Sequence, residues 1–263
     1  MPGNSNSNFK HIIITGASSG IGAALALHYA APGVRLGLSG QNAERLEDIA
    51  KACWEKGAEV EAAVLCVTDR TAMKNWLEKA DDAQPIDLLI ANAGISAGMG
   101  DSKSGEKADQ VRRLFDVNLT GKLNTIEPIL PRMTRRRRGH VALVSSLAGF
   151  RGWPGAPAYS ASKGAVRLYG EALRAALIST GVKVHVICPG FVKSRMTAVN
   201  DFPMPFIMEA DKAARIIANG IARGRGRIAF PWPVYLAVRL LSALPDSLAG
   251  RLQHRLPAKQ EIV

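Results

Sequence analysis

Tyr159 and Lys163 stand four residues apart in the stretch Ala-Tyr-Ser-Ala-Ser-Lys-Gly-Ala-Val. On a helix that spacing stacks both side chains on one face, a turn apart. A phenol titrates near ~10 and gives up its proton reluctantly at neutral pH. An ammonium beside it favours the phenolate and lowers that value. Such a pair is a proton donor and acceptor suited to interconverting a carbonyl and an alcohol. The same spacing also arises on ordinary solvated helix faces. The chemistry therefore depends on whether the rest of the chain supplies a redox partner and a second group for the reacting oxygen.

The hydrophobic pattern outlines the elements that would hold this pair. A short apolar run at 11–15 leads into Gly16-Ala-Ser-Ser-Gly20-Ile-Gly22 and then into a helical stretch rich in alanine and leucine. Glycines at this spacing, after a strand and before a helix, let the backbone turn tightly and approach a pyrophosphate. The helix N-terminus then offers N–H groups and the positive end of its dipole. Strand patterns recur at 34–39, 59–67, 86–91, 140–145 and 182–188, separated by helical patterns at 42–56, 70–80, 107–133 and 158–179. Strands alternating with helices imply right-handed crossovers and a doubly wound α/β fold, a parallel sheet covered on both faces. No repeat, long linker or shift in composition marks a second domain. In such sheets ligands sit beyond the carboxyl ends of the strands. The glycine turn, Asn92, Ser145-Ser146 and Pro189-Gly190 all fall at those ends.

Composition bounds the class. The 263 residues suffice for one large domain, with 47% hydrophobic and 21% charged residues, a globular balance. Three scattered cysteines, Cys53, Cys66 and Cys188, match no metal-ligand spacing and read as reduced thiols of a cytoplasmic protein. Residues 1–8 read as a flexible polar tail without the apolar core of a signal peptide, and no run of about 18 apolar residues is present to span a bilayer. The formal net charge of +12 attracts anions, nucleic acid or acidic lipid without choosing among them.

Over roughly residues 9–230 the chain resembles the short-chain dehydrogenase/reductase family. The likeness is carried, in order, by Thr15-Gly16-Ala-Ser-Ser-Gly20-Ile-Gly22, Asn92-Ala93-Gly94, Asn118 in Asp-Val-Asn-Leu-Thr-Gly, Ser146 in Val-Ser-Ser-Leu-Ala-Gly, Tyr159-x-x-x-Lys163 and Pro189-Gly190. The resemblance implies a single-domain Rossmann-type fold, a nicotinamide cofactor and hydride transfer to or from a carbonyl carbon. By that resemblance Tyr159 is the general acid in reduction and the base in oxidation. Lys163 holds the nicotinamide ribose and depresses the tyrosine pKa. Ser146, thirteen residues before Tyr159, hydrogen-bonds the substrate oxygen in preference to Ser145; neighbours in a strand face opposite sides, so only one of the two should meet the cleft. Asn118 distorts its helix and holds a water that relays protons to Lys163. Gly16, Ser18, Ser19, Gly20, Ile21 and Gly22 hold the cofactor at the glycine turn, Asn92, Ala93 and Gly94 pack on the adenosine ribose, and Pro189, Gly190, Val192 and Ser194 meet the nicotinamide carboxamide. A homodimer or homotetramer through the helices carrying Asn118 and Tyr159 is also implied.

Two positions depart from the family pattern. The third strand normally ends in an acid that reaches the adenine amino group; here Cys66 stands there, Asp69 reads as the cap of the next helix, and the Val67 backbone is left to hold the adenine. The second strand ends in Ser39-Gly40-Gln41-Asn42. It lacks the acid that binds the ribose hydroxyls of NAD, and it lacks an arginine at Gln41 or a basic residue at Ser19 that would mark NADP. The missing acid, with Arg45 nearby, tips the expectation toward NADP over NAD, with Gln41 at the ribose.

The substrate side is outlined more loosely. Residues 197–208, with Phe202, Met204, Phe206, Ile207 and Met208, read as a lid that either admits a hydrophobic, lipid-like carbonyl compound or simply packs on the core. Four consecutive arginines at 135–138 read as a solvated basic surface at a helix end. No aromatic residues are interleaved there and no groove-reading motif is visible, which disfavours nucleic acid. Residues 231–263 form a basic amphipathic extension. Within it 234–244 is nearly all apolar, and Leu248, Leu252 and Leu256 recur every fourth residue beside Arg251 and Arg255. Three roles are open to it: lying on an anionic membrane surface, packing against the substrate cleft, or meeting a partner subunit. The expected function is NAD(P)-dependent reduction of an apolar ketone. A catalytically silent cofactor-binding regulator and a basic nucleic-acid-binding protein are the alternatives.

Overall fold

The apolar runs of the sequence become parallel strands because each must bury both of its faces. In the computed structural model they are β1 (His11–Thr15), β2 (Arg35–Gly40), β3 (Glu59–Val64), β4 (Leu88–Ala91), β5 (Gly139–Val144), β6 (Val182–Pro189) and β7 (Arg227–Phe230). They form one sheet in the order β3-β2-β1-β4-β5-β6-β7, every pairing parallel. The structure describes residues 9–100, 105–253 and 259. The polar tail at 1–8, part of the loop after β4 and the repeat positions Arg255 and Leu256 lie outside the described residues.

Helices cover both faces. On one side α1 (Gly20–Tyr29), α2 (Ala43–Glu55) and α9 (Ala210–Ala222) pack through Leu25, Leu46, Ile217 and Ile221 against Ile12, Ile14, Leu36 and Leu38. On the other, α3 (Arg70–Ala83) and α7 (Pro157–Ala176) bring Met73, Leu77 and Val166 against Ile13, Leu89, Val141 and Leu143. The sequence reading passes over α9, although its buried Ala213, Ala214, Ile217, Ala218 and Ile221 recur at helical spacing. Asn219 and Gly220 weaken its local propensity, and packing on α1 overrides them. Asp69 does cap α3, its Oδ1 accepting from the Ala72 amide at 2.9 Å.

The expected helix at 107–133 is broken into α4 (Ala108–Phe115), a π-helical turn (Asp116–Thr120), α5 (Gly121–Ile126) and α6 (Leu130–Arg135). Expected strand 59–67 stops at Val64, because β3 is an edge strand with one neighbour and the chain peels away once that pairing ends.

The arginine run is a solvated surface at 135, 137 and 138, as expected, but Arg136 is half-buried and three of the side chains hold fixed partners. Arg136 binds both oxygens of the buried Asp81 at 2.8 and 2.9 Å and the Ile86 carbonyl at 2.7 Å. Arg138 binds Asp87 at 2.7 Å, and Arg137 donates to the Ser179 carbonyl at 2.9 Å. Asp81 and Asp87 also accept backbone amides, from Ile86 and from Lys10 and His11. The run therefore ties the α6–β5 turn to the entry of β4 and the end of α3.

Downstream of β7, α10 (Trp232–Ala243) and α11 (Asp246–Gln253) fold back over the carboxyl ends of the central strands. Ser242 donates to the Phe150 carbonyl at 3.1 Å, Gln253 to the Gly152 carbonyl at 2.8 Å, and Arg151 pairs with Asp246 at 2.8 Å. Of the three roles open to the extension, packing against the cleft is thus realised by one face of α10. The short helix α8 (Arg195–Ala198) starts the segment on the opposite side. Replacing Asp81 by alanine leaves Arg136 and the Ile86 amide without their acceptor. The expected loss is about 2–3 kcal/mol of unfolding free energy in urea titration, with cofactor affinity unchanged.

Candidate active site

The sheet order reverses direction at β1, so the connections leaving β1 and β4 diverge and open a crevice at the strand ends. A cavity of about 560 Å³ occupies it. Of the residues expected to form a site, all but Gly22 and Asn118 line this cavity. Those two are packed just behind its wall.

The glycine turn is built for close approach. Gly16 and Gly20 have φ of 67° and 56°, in the left-handed region where a side chain is strained. A Cβ on Gly22 would sit 2.2 Å from the Gly16 carbonyl oxygen, so Gly22 seats the helix on the turn instead of facing the ligand. Asn92 clamps the turn, its Nδ2 donating to the carbonyls of Thr15 at 3.0 Å and Gly16 at 3.1 Å. The Thr15 hydroxyl accepts from the amides of Asn92 and Ala93. Ser18, Ser19, Gly20 and Ile21, at the N-terminus of α1, face the cavity. Free helix N–H groups, a positive dipole end and a glycine surface at one end of an elongated crevice fit a dinucleotide pyrophosphate.

α7 carries the reactive pair. Pro157 opens the helix, and the Glu106 carboxylate accepts the Ala158 amide at 2.7 Å. Tyr159 packs among Ala97, Leu114, Ala156 and Ala158, with its hydroxyl hydrogen-bonded to Ser146. Burial pushes the phenol above its ordinary value, and the Ser146 bond opposes this only in part. The Lys163 Nζ lies 5.7 Å from the ring centre, and desolvation sets the direction of the shift at the phenol. Lys163 is itself buried, which pulls it down to about 8. Its Nζ reaches the Val144 carbonyl at 3.5 Å. Ser145 and Ser146 part company as neighbours in a strand must. Ser145 donates to the Lys163 carbonyl at 2.7 Å, whereas Ser146 turns to Tyr159.

Asn118 sits at the centre of the π-helical turn, fully buried. Its Oδ1 accepts the Ile95 amide at 2.8 Å, and its Nδ2 donates to the Ile95 carbonyl at 3.0 Å and to Ser162 Oγ at 3.1 Å. The side chain thus behaves as a strand partner for the β4 exit, and the helix widens to let it in. Gly94 keeps the space between Asn118 and Lys163: a Cβ there would lie 2.9 Å from Asn118 Oδ1 and 3.1 Å from Lys163 Nζ.

At the far end, Gln41 donates to Cys66 Sγ at 2.9 Å, and Cys66 contacts Thr68 Oγ1 at 3.0 Å. Burial opposes ionisation of this thiol, but its bonds to Thr68 and Gln41 leave its pKa below the ordinary value. The Val67 carbonyl is taken by Asn124 at 2.9 Å. At the other end Ser194 faces Gly20 across the crevice, and Pro189, Gly190 and Val192 complete the wall.

Sequence reasoning missed Lys122, Phe191 and Lys259. Lys122, one turn after Asn118, is buried and donates to the carbonyls of Ala91 at 3.1 Å and Ala93 at 2.8 Å. Its helical spacing from Asn118 was a readable signal. Trp153, Phe191 and Phe202 meet edge to face, with ring centres 5.9–6.0 Å apart, where the 197–208 segment crosses the cleft. Phe202 and Met208 of that segment are buried, whereas Phe206 is exposed. Val234, Val238 and Leu241 of α10 add an apolar wall, and Lys259 enters near Tyr159. Nothing local in the sequence ties Lys259 to Tyr159.

Comparison with known proteins agrees with this geometry. The family model of short chain dehydrogenases matches residues 10–202. An oxidoreductase of Myxococcus xanthus, otherwise uncharacterized, is 40% identical over 252 residues, covering 95% of this chain and 98% of that protein. A 3-dehydrosphinganine reductase of Arabidopsis thaliana is 37% identical over 231 residues, 82% of this chain and 68% of that protein. A short-chain dehydrogenase from Sphingobium yanoikuyae, solved with NADPH, superposes with a TM-score of 0.78 at 26% identity, covering 96% and 98% of the two chains. One from Burkholderia phymatum, solved with NAD, has a TM-score of 0.82 at 23% identity, covering 99% and 100%. With its seven-stranded parallel sheet, its glycine turn and its Tyr159–Lys163 pair in one crevice, the chain belongs to the short-chain dehydrogenase/reductase family of oxidoreductases that use a nicotinamide cofactor.

Proposed function

We propose that the chain is an NADP-dependent reductase of a carbonyl compound with a long apolar body. The observation that carries this reading is the continuity of the crevice: the space beside Tyr159 runs on beneath α10, walled by Val234, Val238 and Leu241, with Trp153, Pro203 and Pro205 opposite. The kinship with a reductase whose name specifies a long-chain ketone, 3-dehydrosphinganine, supports it.

The roles follow from the groups present. The glycine turn and α1 would hold the pyrophosphate, Lys163 the nicotinamide ribose, and Val192 with Ser194 the carboxamide. Bound there, the reduced nicotinamide supplies a hydride to the carbonyl carbon. The Tyr159 phenol, kept protonated by burial, donates its proton to the carbonyl oxygen, and Ser146 holds that oxygen in place. The Lys163 ammonium stabilises the phenolate left behind. A water held beside Asn118 would return a proton toward Lys163, which the missing side chain at Gly94 lets stand close by. The preference for NADP rests on the missing acid at the end of β2 and on Arg45, whose buried Nε has no hydrogen-bond partner. Leu168 and Tyr169, exposed on α7, suit the family's assembly through that helix into dimers or tetramers.

The outward face of α10 carries Trp232, Leu236 and Leu240, one per turn and 73%, 50% and 62% exposed, with Arg239 and Arg251 exposed nearby. Among the described residues no helix is long and apolar enough to cross a membrane. An apolar stripe flanked by arginines suits an anionic lipid surface, which would place the cleft mouth beside a source of apolar substrate.

Three measurements test these readings. Tyr159→Phe should cut kcat for reduction about 100-fold or more while NADPH affinity, read by fluorescence titration, stays within about twofold; undiminished turnover overturns the assigned acid. Gln41→Asp, placing a negative charge at the ribose, should lower kcat/KM with NADPH about tenfold relative to NADH. In flotation with vesicles containing phosphatidylglycerol, the wild type should rise with the lipid and the Leu236→Glu, Leu240→Glu double variant should not. Equal partitioning of the two removes the membrane reading.

A further inference from the structure

Lys259 has no part in the chemistry above, yet it is built into the site. Its backbone is pinned on both sides, the amide donating to the Gly155 carbonyl at 3.2 Å and the carbonyl accepting the Gly100 amide at 2.8 Å. Gly98 makes the fit possible, since a Cβ there would lie 2.7 Å from the Lys259 Cβ and 2.2 Å from the Gly155 oxygen. Gln110 holds Gly98 in turn through its carbonyl at 2.9 Å. So placed, the side chain turns inward. Its Nζ donates to Ser96 Oγ at 2.6 Å and stands 4.1 Å from the centre of the Tyr159 ring. The residue is 7% exposed and lines the same cavity as Tyr159.

Among the described residues no carboxylate pairs with this ammonium, and the charge it feels is the like-signed one of Lys163. A cation held out of water with one hydroxyl and the face of a phenol ring as its partners remains costly unless a ligand brings the opposite charge. A structural lysine in this position would be expected to sit against carbonyl oxygens, as Lys122 does. Lys259 instead lies in the cavity wall, on Ser96 and the face of Tyr159, beside the group that protonates the substrate. Its position over the phenol ring puts any anion it binds within a few bonds of the reacting carbonyl.

We propose that Lys259 is the recognition cation for a carboxylate on the substrate, so that the class taken is an oxo acid, or the corresponding hydroxy acid, with an apolar chain. The acid group meets Lys259 and Ser96, the carbonyl oxygen meets Tyr159 and Ser146, and the chain runs beneath α10. A protonated amine at the same place is repelled by both Lys259 and Lys163. This assignment rests on the reductase reading for its carbonyl, but its binding site stands apart from turnover.

The test is calorimetric titration of the full-length chain, saturated with NADPH, using decanoate, decan-1-ol and decylamine as probes. The wild type should bind decanoate about tenfold or more tightly than decan-1-ol, with decylamine weakest. Lys259→Met should lose about tenfold for decanoate and stay within about twofold for decan-1-ol. Lys259→Arg should keep part of the preference. Methionine matches the length of the stem and removes a buried charge, so the variant is expected to fold. Equal binding of decanoate and decan-1-ol by the wild type overturns the proposal, as does an equal loss for both probes in Lys259→Met. A chain that discriminates through Lys259 but transfers no hydride keeps this site and loses the reductase reading.

Discussion

Amino groups held out of water, with no carboxylate beside them among the described residues, are the constraint around which this site is arranged. Lys122, Lys163 and Lys259 are all buried around the exits of β4 and β5 and the start of α7. What each is given instead of a counter-ion is oxygen: the carbonyls of Ala91 and Ala93 for Lys122, that of Val144 for Lys163, a hydroxyl for Lys259. Parallel strands that end together leave their last carbonyls unpaired at one edge, and the following helices present their first N–H groups at the same edge. One topological fact therefore supplies acceptors for ammonium groups and donors for phosphate. The resulting crevice is electropositive and partly dry, and it is complementary to the electron-rich oxygens of a cofactor and a carbonyl compound.

Burial sets the direction of the chemistry in the same way. Desolvation disfavours every charged form, so it raises the phenol and lowers the ammonium. The two free values nearly coincide, so burial moves them apart: the phenol holds its proton more tightly and the ammonium less. The π-helical turn at Asn118 belongs to this arrangement, because widening the helix carries an amide to the Ile95 backbone and keeps Gly94 against Lys163.

Much of this was legible in the residues. The alternation of apolar runs gave the sheet, and the spacing of Tyr159, Lys163, Ser146 and the glycines gave the parts that meet in the crevice. What could not be read is instructive. The family likeness implies a distortion at Asn118 but not its cause, bonds to a backbone 23 residues away, a tertiary demand that no local propensity records. The arginines at 136 and 138 look solvated in sequence because their partners, Asp81 and Asp87, lie 55 and 51 positions earlier. Lys259 is the extreme case, joined to Ser96 across 163 positions. Cys66, by contrast, showed in advance that the adenosine end departs from the family. In the structure Cys66 makes polar contacts with Gln41 and Thr68.

The fastening of α10 bears on how a guest enters. Glu171 of the reactive helix accepts Arg167 from its own turn and Arg227 from β7; Arg227 also reaches the Tyr235 hydroxyl, and both guanidiniums stack on Phe150. Swinging α10 outward would pull on all of these at once, together with the ties at Ser242 and Gln253. The facing wall is tied by the backbone bonds of Lys193 and Met208 at the Val192–Met208 bridge, by the Lys193–Glu209 ion pair, by Thr197 on the Val192 carbonyl and by aromatic contacts. Both sides of the mouth are thus fastened, α10 through the charged network at its base and the 197–208 segment through the strand end beneath it, so a guest meets two braced walls.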